Sequence, residues 1–152
     1  MSDLIIAVRP YLHADSRFLI EATMADLRVR YDGDGDSTPV DPAEFEAPRG
    51  AFLVGYLDDT PVASAGWRSH GDDAELKRMY TAEAVRGRGF ARRILAAVED
   101  SARAAGRRRL ILETGLRQPE AIALYESAGY APIDGFGFYR DSDLSRSFGR
   151  VL

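Results

Sequence analysis

Cysteine is absent from all 152 residues. That removes a disulfide framework, a thiolate metal site and a cysteine-borne acyl intermediate together. Histidine is nearly as scarce, only His13 and His70, so a histidine-rich metal centre is not expected. Lysine occurs once, at Lys77. The excess of Arg and Ala points to a G+C-rich coding genome and a bacterial source. No apolar run approaches the ~20 residues of a membrane span. The run from Leu4 to Val8 is too short for a signal peptide and lacks a basic start. A cytoplasmic protein is therefore expected, with no membrane partner. A net charge of −4 argues against a nucleic-acid partner.

What is present is one ordinary globular domain over residues 1–152, with 45% hydrophobic and 29% charged residues. Its charge is unevenly spread. Acid crowds the first third, from Asp26 through Asp32, Asp34 and Asp36 to Glu46. Arginine crowds the middle, from Arg86 and Arg88 to Arg109, so a local cationic site for an anionic ligand is compatible with the negative total.

Leu4 to Val8 predicts a strand. Phe18, Leu19, Ala22, Ala25 and Val29 recur at three- and four-residue steps and predict a helix over about 14–30. Ala51–Leu57, Val62–Ser69 and Ala74–Thr81 predict a three-stranded meander, with turn chemistry at Asp58-Asp59-Thr60-Pro61 and Gly71-Asp72-Asp73. The period then changes. Phe90, Ile94, Leu95, Val98, Ala102 and Ala105 line one face of a helix that Gly106 closes. Leu110-Ile111-Leu112 is a buried strand. Pro119 opens another helix with Ala121, Leu124, Tyr125 and Ala128 inward and Gly129 at its end. The tail holds two further strands. A strand–helix–strand unit over 74–114 requires a parallel pair with a crossover helix.

The junction before Phe90 carries the first chemical signal. A helix N-terminus presents unpaired N–H groups and positive partial charge. Gly87 and Gly89 leave room for a phosphate, and Arg86 and Arg88 add forked donors. The G-x-x-x-x-G-K-[ST] phosphate loop is absent. The dinucleotide pattern fails because Arg92 stands where its third glycine belongs. A helix start with solvated arginines would look the same.

Two motifs carry a resemblance. Arg86-Gly87-Arg88-Gly89-Phe90-Ala91 matches the [QR]-x-x-G-x-[GA] signature of the GNAT acetyltransferases, and Gln118 to Tyr130 resembles that family's second motif. The resemblance covers nearly the whole chain. It implies an α+β GNAT fold: a mostly antiparallel twisted sheet of about six or seven strands, a parallel fourth and fifth strand splayed at the cofactor site, and about four flanking helices. It implies acetyl-CoA as co-substrate, no metal, and an amine acceptor of small-molecule or peptide kind. The implied reaction is direct attack of a primary amine on the thioester in a ternary complex, by a monomer or homodimer.

By position, the main chain of Met79, Tyr80 and Thr81 would pair with the pantetheine arm. The N–H groups from Gly87 through Phe90 to Ala91, with Arg86 and Arg88, would hold the pyrophosphate. Gln118 stands where many relatives have Asn and would contact the cofactor. Tyr125 matches the general acid that protonates the departing thiolate; it also lies on an apolar helix face, as a core tyrosine would. Glu75 occupies the offset of a catalytic base, with Glu113 a second candidate and a solvated strand glutamate the competing reading. Without a bulge, Glu75, Lys77, Met79 and Thr81 share one strand face.

Asp32-x-Asp34-x-Asp36 has calcium-loop spacing but lacks the glycine and the twelfth-position Glu. It reads as an acidic loop able to attract a cationic amine. Trp67 reads as core. Tyr31, Phe136, Phe138 and Tyr139 could line an acceptor pocket or simply pack. The alternative to an enzyme is a non-catalytic acyl-CoA-binding module that senses or scaffolds.

Overall fold

In the computed structural model, which describes residues 3–33 and 35–152, seven strands form one sheet in the order β1-β2-β3-β4-β5-β7-β6. The strands are β1 (Ile5–Val8), β2 (Gly50–Leu57), β3 (Thr60–His70), β4 (Asp73–Thr81), β5 (Arg109–Gly115), β6 (Ala131–Pro132) and β7 (Ser145–Val151). The helices among the described residues are α1 (Ala14–Tyr31), α2 (Phe90–Ala104) and α3 (Pro119–Ser127), with short 3-10 turns at Pro42–Phe45 and Glu83–Val85. All neighbouring strands are antiparallel except β4 and β5, which run parallel around the α2 crossover. This is the expected α+β architecture.

α2 and α3 cover one face. Phe90, Ile94, Leu95, Val98 and Tyr125 pack there with Leu53, Trp67, Leu76, Leu110 and Leu112. Trp67 is core, its indole N–H donating to Ser101 Oγ at 2.9 Å. The other face is thinner: Leu19 of α1 joins Phe45, Phe52 and Val54. The step pattern located α1 but did not identify its buried side. Ser16, Leu19 and Thr23 are buried, whereas Phe18 and Val29 are 62% and 81% exposed. Small residues suffice because the helix lies close on β3 and β4.

Two irregularities in β4 set up the site. The first is its brevity of contact with β5. Only Ala74↔Leu110 and Glu75↔Ile111 are in register, after which the strands diverge. The closed end is clamped by Asp73, whose carboxylate accepts from Arg109 Nη2 at 2.8 Å, and by Arg108 N–H donating to Asp72 O at 2.8 Å. The second is a bulge. Lys77 opposes Gly66 and Tyr80 opposes Ser64, so Arg78 and Met79 together face Ala65. Arg78 takes a left-handed φ of 59°, uncommon for a residue with a Cβ and costing about 1 kcal/mol or more. The bulge breaks the expected parity. Glu75, Lys77 and Tyr80 lie toward α1, while Leu76, Met79 and Thr81 lie toward α2.

Candidate active site

Where β4 and β5 part, a cleft of about 310 Å³ passes between them, walled by α1, the α1–β2 loop, the start of α3 and the β6–β7 loop. It joins the two faces of the sheet. Tyr125 enters from the α3 side. Glu113 enters from the other, because it alternates with Leu110 and Leu112, which face α2.

Tyr125 is 6% exposed, and its hydroxyl donates to Met79 Sδ at 3.5 Å. Burial drives the phenol pKa far above its ordinary value, so the group holds its proton across the physiological range. Glu113 Oε2 accepts the Tyr139 N–H at 3.0 Å, while Oε1 is buried with no hydrogen-bond partner among the described residues. Burial also raises the Glu113 pKa. The Tyr139 amide and Lys77 oppose the rise, and the nearby carboxylates of Glu75 and Asp36 add to it. A carboxylate with one free, buried lone-pair site and a weakened hold on its charge is suited to accept a proton.

Glu75, the expected base, lies elsewhere. It is 4% exposed, ion-paired with Arg68 Nε at 2.9 Å, and among the residues lining a separate shallow hollow with Pro39, Glu44 and His70. Pairing explains the difference: Glu75 is still in register with Ile111 of β5, and the cleft opens only beyond that pair. Asp36 of the acidic loop is likewise not free to attract an amine. Asp36 is ion-paired with Arg78 and, at 3.3 Å, with Lys77. Burial opposes its ionisation, but those cations and Thr38 outweigh it and lower its pKa. Asp34 lies outside the described residues. Of the four aromatics, Tyr31 and Tyr139 line the cleft. Phe136 packs edge-on to His70 at 5.3 Å, and Phe138 is 51% exposed.

The glycine-rich segment opens α2, outside the residues that line the cleft, and joins the end of β4 through Arg86. Gly89 is the N-cap of α2 at φ 80°, and no described side chain caps that helix. Gly87 also has a left-handed φ, 79°, and a Cβ at either glycine would meet nothing within 4 Å. That cradle is open, not filled by protein, and it fits an extended diphosphate approaching the free N–H groups through Ala91. Arg86 is tied back to β4, its Nε donating to Thr81 O at 2.9 Å, with its guanidinium 5.8 Å from the Tyr80 ring centre. Arg88 is exposed, and its guanidinium lies 4.9 Å from the buried Phe90 ring. Gln118 caps α3 beside the cleft, and its Nε2 donates to the Tyr31 hydroxyl at 3.3 Å.

Sequence reasoning missed the Asp36–Lys77–Arg78 cluster and, although it named Tyr139, the contact of the β6–β7 loop with Glu113. Gly137 was the available signal for the latter. A Cβ there would come within 2.8 Å of Glu113 Oε2 and nearer still to Oε1, so the chain can cover that carboxylate only with glycine.

A mixed sheet split between two parallel strands, with an uncapped glycine-flanked helix start beside it, is the architecture that the sequence resemblance implied. The Acetyltransferase (GNAT) family model matches residues 20–130, and the chain belongs to that family. It is 44% identical over 96 residues to an IAA acetyltransferase of Azospirillum brasilense, covering 62% of this chain and 63% of that protein. It is 42% identical over 94 residues to the uncharacterized N-acetyltransferase YjgM of Escherichia coli, covering 59% and 56% respectively. The matched segment thus spans less than two thirds of either curated relative. Among solved structures, one described as an acyl-CoA N-acyltransferase from Klebsiella pneumoniae superposes with a TM-score of 0.82 at 26% identity, over 98% of this chain and 97% of that one. Among the described residues, no group of acidic or histidine side chains could hold a metal ion, and no helix is long and apolar enough to cross a membrane.

Proposed function

We propose that the protein transfers an acetyl group from acetyl-CoA to the primary amine of a small acceptor, by direct attack with both substrates bound. The observation that carries this reading is the through-cleft between β4 and β5, with a protonated phenol at one side and an unpaired carboxylate oxygen at the other. Acetyl-CoA supplies the acetyl group in activated thioester form. Gly87 to Ala91, with Arg86 and Arg88, would hold its pyrophosphate, and Met79 to Thr81 would align its arm along the end of β4.

Glu113 Oε1 takes the first proton from the acceptor ammonium, leaving a neutral amine. As the new N–C bond forms and the C–S bond breaks, Tyr125 gives its proton to the sulfur and recovers one from the nitrogen. The sum is one ammonium and one thioester consumed, with one amide, one thiol and one proton produced. Desolvation makes Tyr125 a weak acid, but it raises the basicity of a thiolate in the same cleft, so the two remain matched. The test is thiol release with Tyr125→Phe and Glu113→Gln. Loss of turnover in both, with acetyl-CoA binding retained, supports the assignment. Unchanged turnover in either removes that residue. Acetyl-CoA binding without thiol release across a broad amine panel would favour the non-catalytic module instead.

A further inference from the structure

The acceptor side of the cleft has its own charge pattern, of which the transfer chemistry uses only Glu113. Lys77 and Arg78 are 7% and 4% exposed in their side chains and stand against a single paired carboxylate, Asp36. Arg78 is held by Asp36 through Nη1 and weakly by Thr38 O through Nη2, while its Nε–H is buried with no partner among the described residues. Lys77 Nζ reaches Thr38 Oγ1 at 3.2 Å. Across the same cleft, Glu113 Oε1 is an acceptor without a donor. The side chains of Arg78 and Glu113 line one small cleft, and each carries a buried, unpaired group of opposite kind: a cationic N–H donor and a carboxylate acceptor. A buried polar group left unpaired is costly, so each marks a place where a ligand atom completes the pairing.

We propose that the acceptor is a free amino acid, its ammonium held by Glu113 Oε1 and its carboxylate by the Arg78 Nε–H with Lys77 adjacent. The inference rests on the acetyl-transfer reading and specifies its acceptor. Charge arithmetic favours this occupant over a simple amine. Asp26 of the lining is ion-paired to Arg30. With Lys77 and Arg78 positive and Asp36 and Glu113 negative, the site is then neutral overall but polar along its length. A zwitterion adds no net charge and places each of its ends against the opposite sign. A simple amine satisfies Glu113 but leaves the Arg78 Nε–H unpaired. A phosphate or phosphonate dianion would exceed the one surplus cation at this end. The bulge serves the same purpose. The left-handed φ of Arg78 places a charged side chain where alternation alone would not, and the Asp36 ion pair offsets the strain.

The test pairs each of a panel of free L-amino acids with its carboxamide and its decarboxylated amine, scoring thiol release as kcat/KM with acetyl-CoA saturating. Accepted free acids are expected to exceed their carboxamides at least tenfold. A site built to pair a polar group discriminates strongly against the analogue lacking it. Arg78→Gln should raise KM for the free acid and bring the acid-to-amide ratio toward one, while the KM for acetyl-CoA stays unchanged. Arg78→Lys should restore part of the ratio. A merely structural arginine would lower both substrates alike and leave the ratio intact. Equal or better use of carboxamides by the wild type, an unaltered ratio in Arg78→Gln, or turnover confined to amines without a carboxylate would each overturn the proposal. So would thiol release from no amino acid. Calorimetric binding of acetyl-CoA is read separately: if it persists, only the acceptor assignment fails, and if it is absent, the donor reading fails too.

Discussion

Gly137→Ala tests Glu113 without altering it. The added Cβ would lie 2.8 Å from Oε2 and closer to Oε1 and Cδ, whereas ordinary carbon contacts are about 3.5 Å or more. The carboxyl group must therefore retreat by about 1 Å, and a displacement of that size in a reacting group can cost about 100-fold in rate. That corresponds to about 2.7 kcal/mol of transition-state stabilisation. The cost to folding is smaller, because what moves is the end of a flexible side chain. Loss of its bond from Tyr139 N–H and an off-rotamer torsion amount to about 1–3 kcal/mol. The assay is steady-state thiol release beside thermal unfolding, with Gly135→Ala as the control. A Cβ there presses on Arg140 of the same loop at 2.9 Å and spares Glu113. We expect kcat to fall about 100-fold in Gly137→Ala and to stay near wild type in Gly135→Ala. If Gly137→Ala folds and turns over normally, Glu113 is not the proton acceptor.

Tyr125→Phe should lower kcat by about 10²–10⁴ with the melting temperature unchanged or raised, since the lost hydroxyl has only a long contact to Met79 Sδ; paired kinetics and calorimetry check both. Gly89→Ala imposes a side chain at φ 80° and fills the phosphate cradle, so titration calorimetry should show acetyl-CoA affinity falling sharply at a folding cost of about 1–2 kcal/mol. Glu113→Gln should stabilise the fold near neutral pH. A carboxyl with a raised folded pKa lends stability below its ordinary value and loses it as pH rises through the folded value. The same variant should remove the acidic limb of the kcat/KM profile, a limb placed above the usual glutamate range. Asp73 has the opposite sign. Its bond to Arg109 lowers its pKa, so its contribution is present above the ordinary aspartate value and lost as pH falls through the folded one. Asp73→Asn should cost about 2 kcal/mol, read by denaturant melts, and flatten that acid transition.

The residues that announce themselves in the sequence do so through local physics. Periodicity located the helices and strands because burying one face requires it. Gly87 and Gly89 disclosed a helix start open to phosphate because only glycine is comfortable at that φ. Pro119, Gly106 and Gly129 marked helix ends for similar reasons. The acceptor side was not legible in this way. Alternation along β4 put Met79 on the face of Glu75 and Lys77, but a single extra residue at Arg78 reverses the faces beyond it, and no local signal announces that. Glu113 and Glu75 have the same side chain, but one became an unpaired carboxylate and the other an ion-pair partner of Arg68.

The sequence by itself therefore determined the proposed donor site: a short segment whose backbone conformation and charge are written in its own residues, Arg86 to Ala91. Only the tertiary structure brought the proposed acceptor side together. There Asp36, Arg78, Glu113 and Tyr139, widely spaced along the chain, converge where two strands part. Their charges and free lone pairs depend on which neighbours the fold supplies, and long-range pairing of that kind leaves no periodic trace in a single chain.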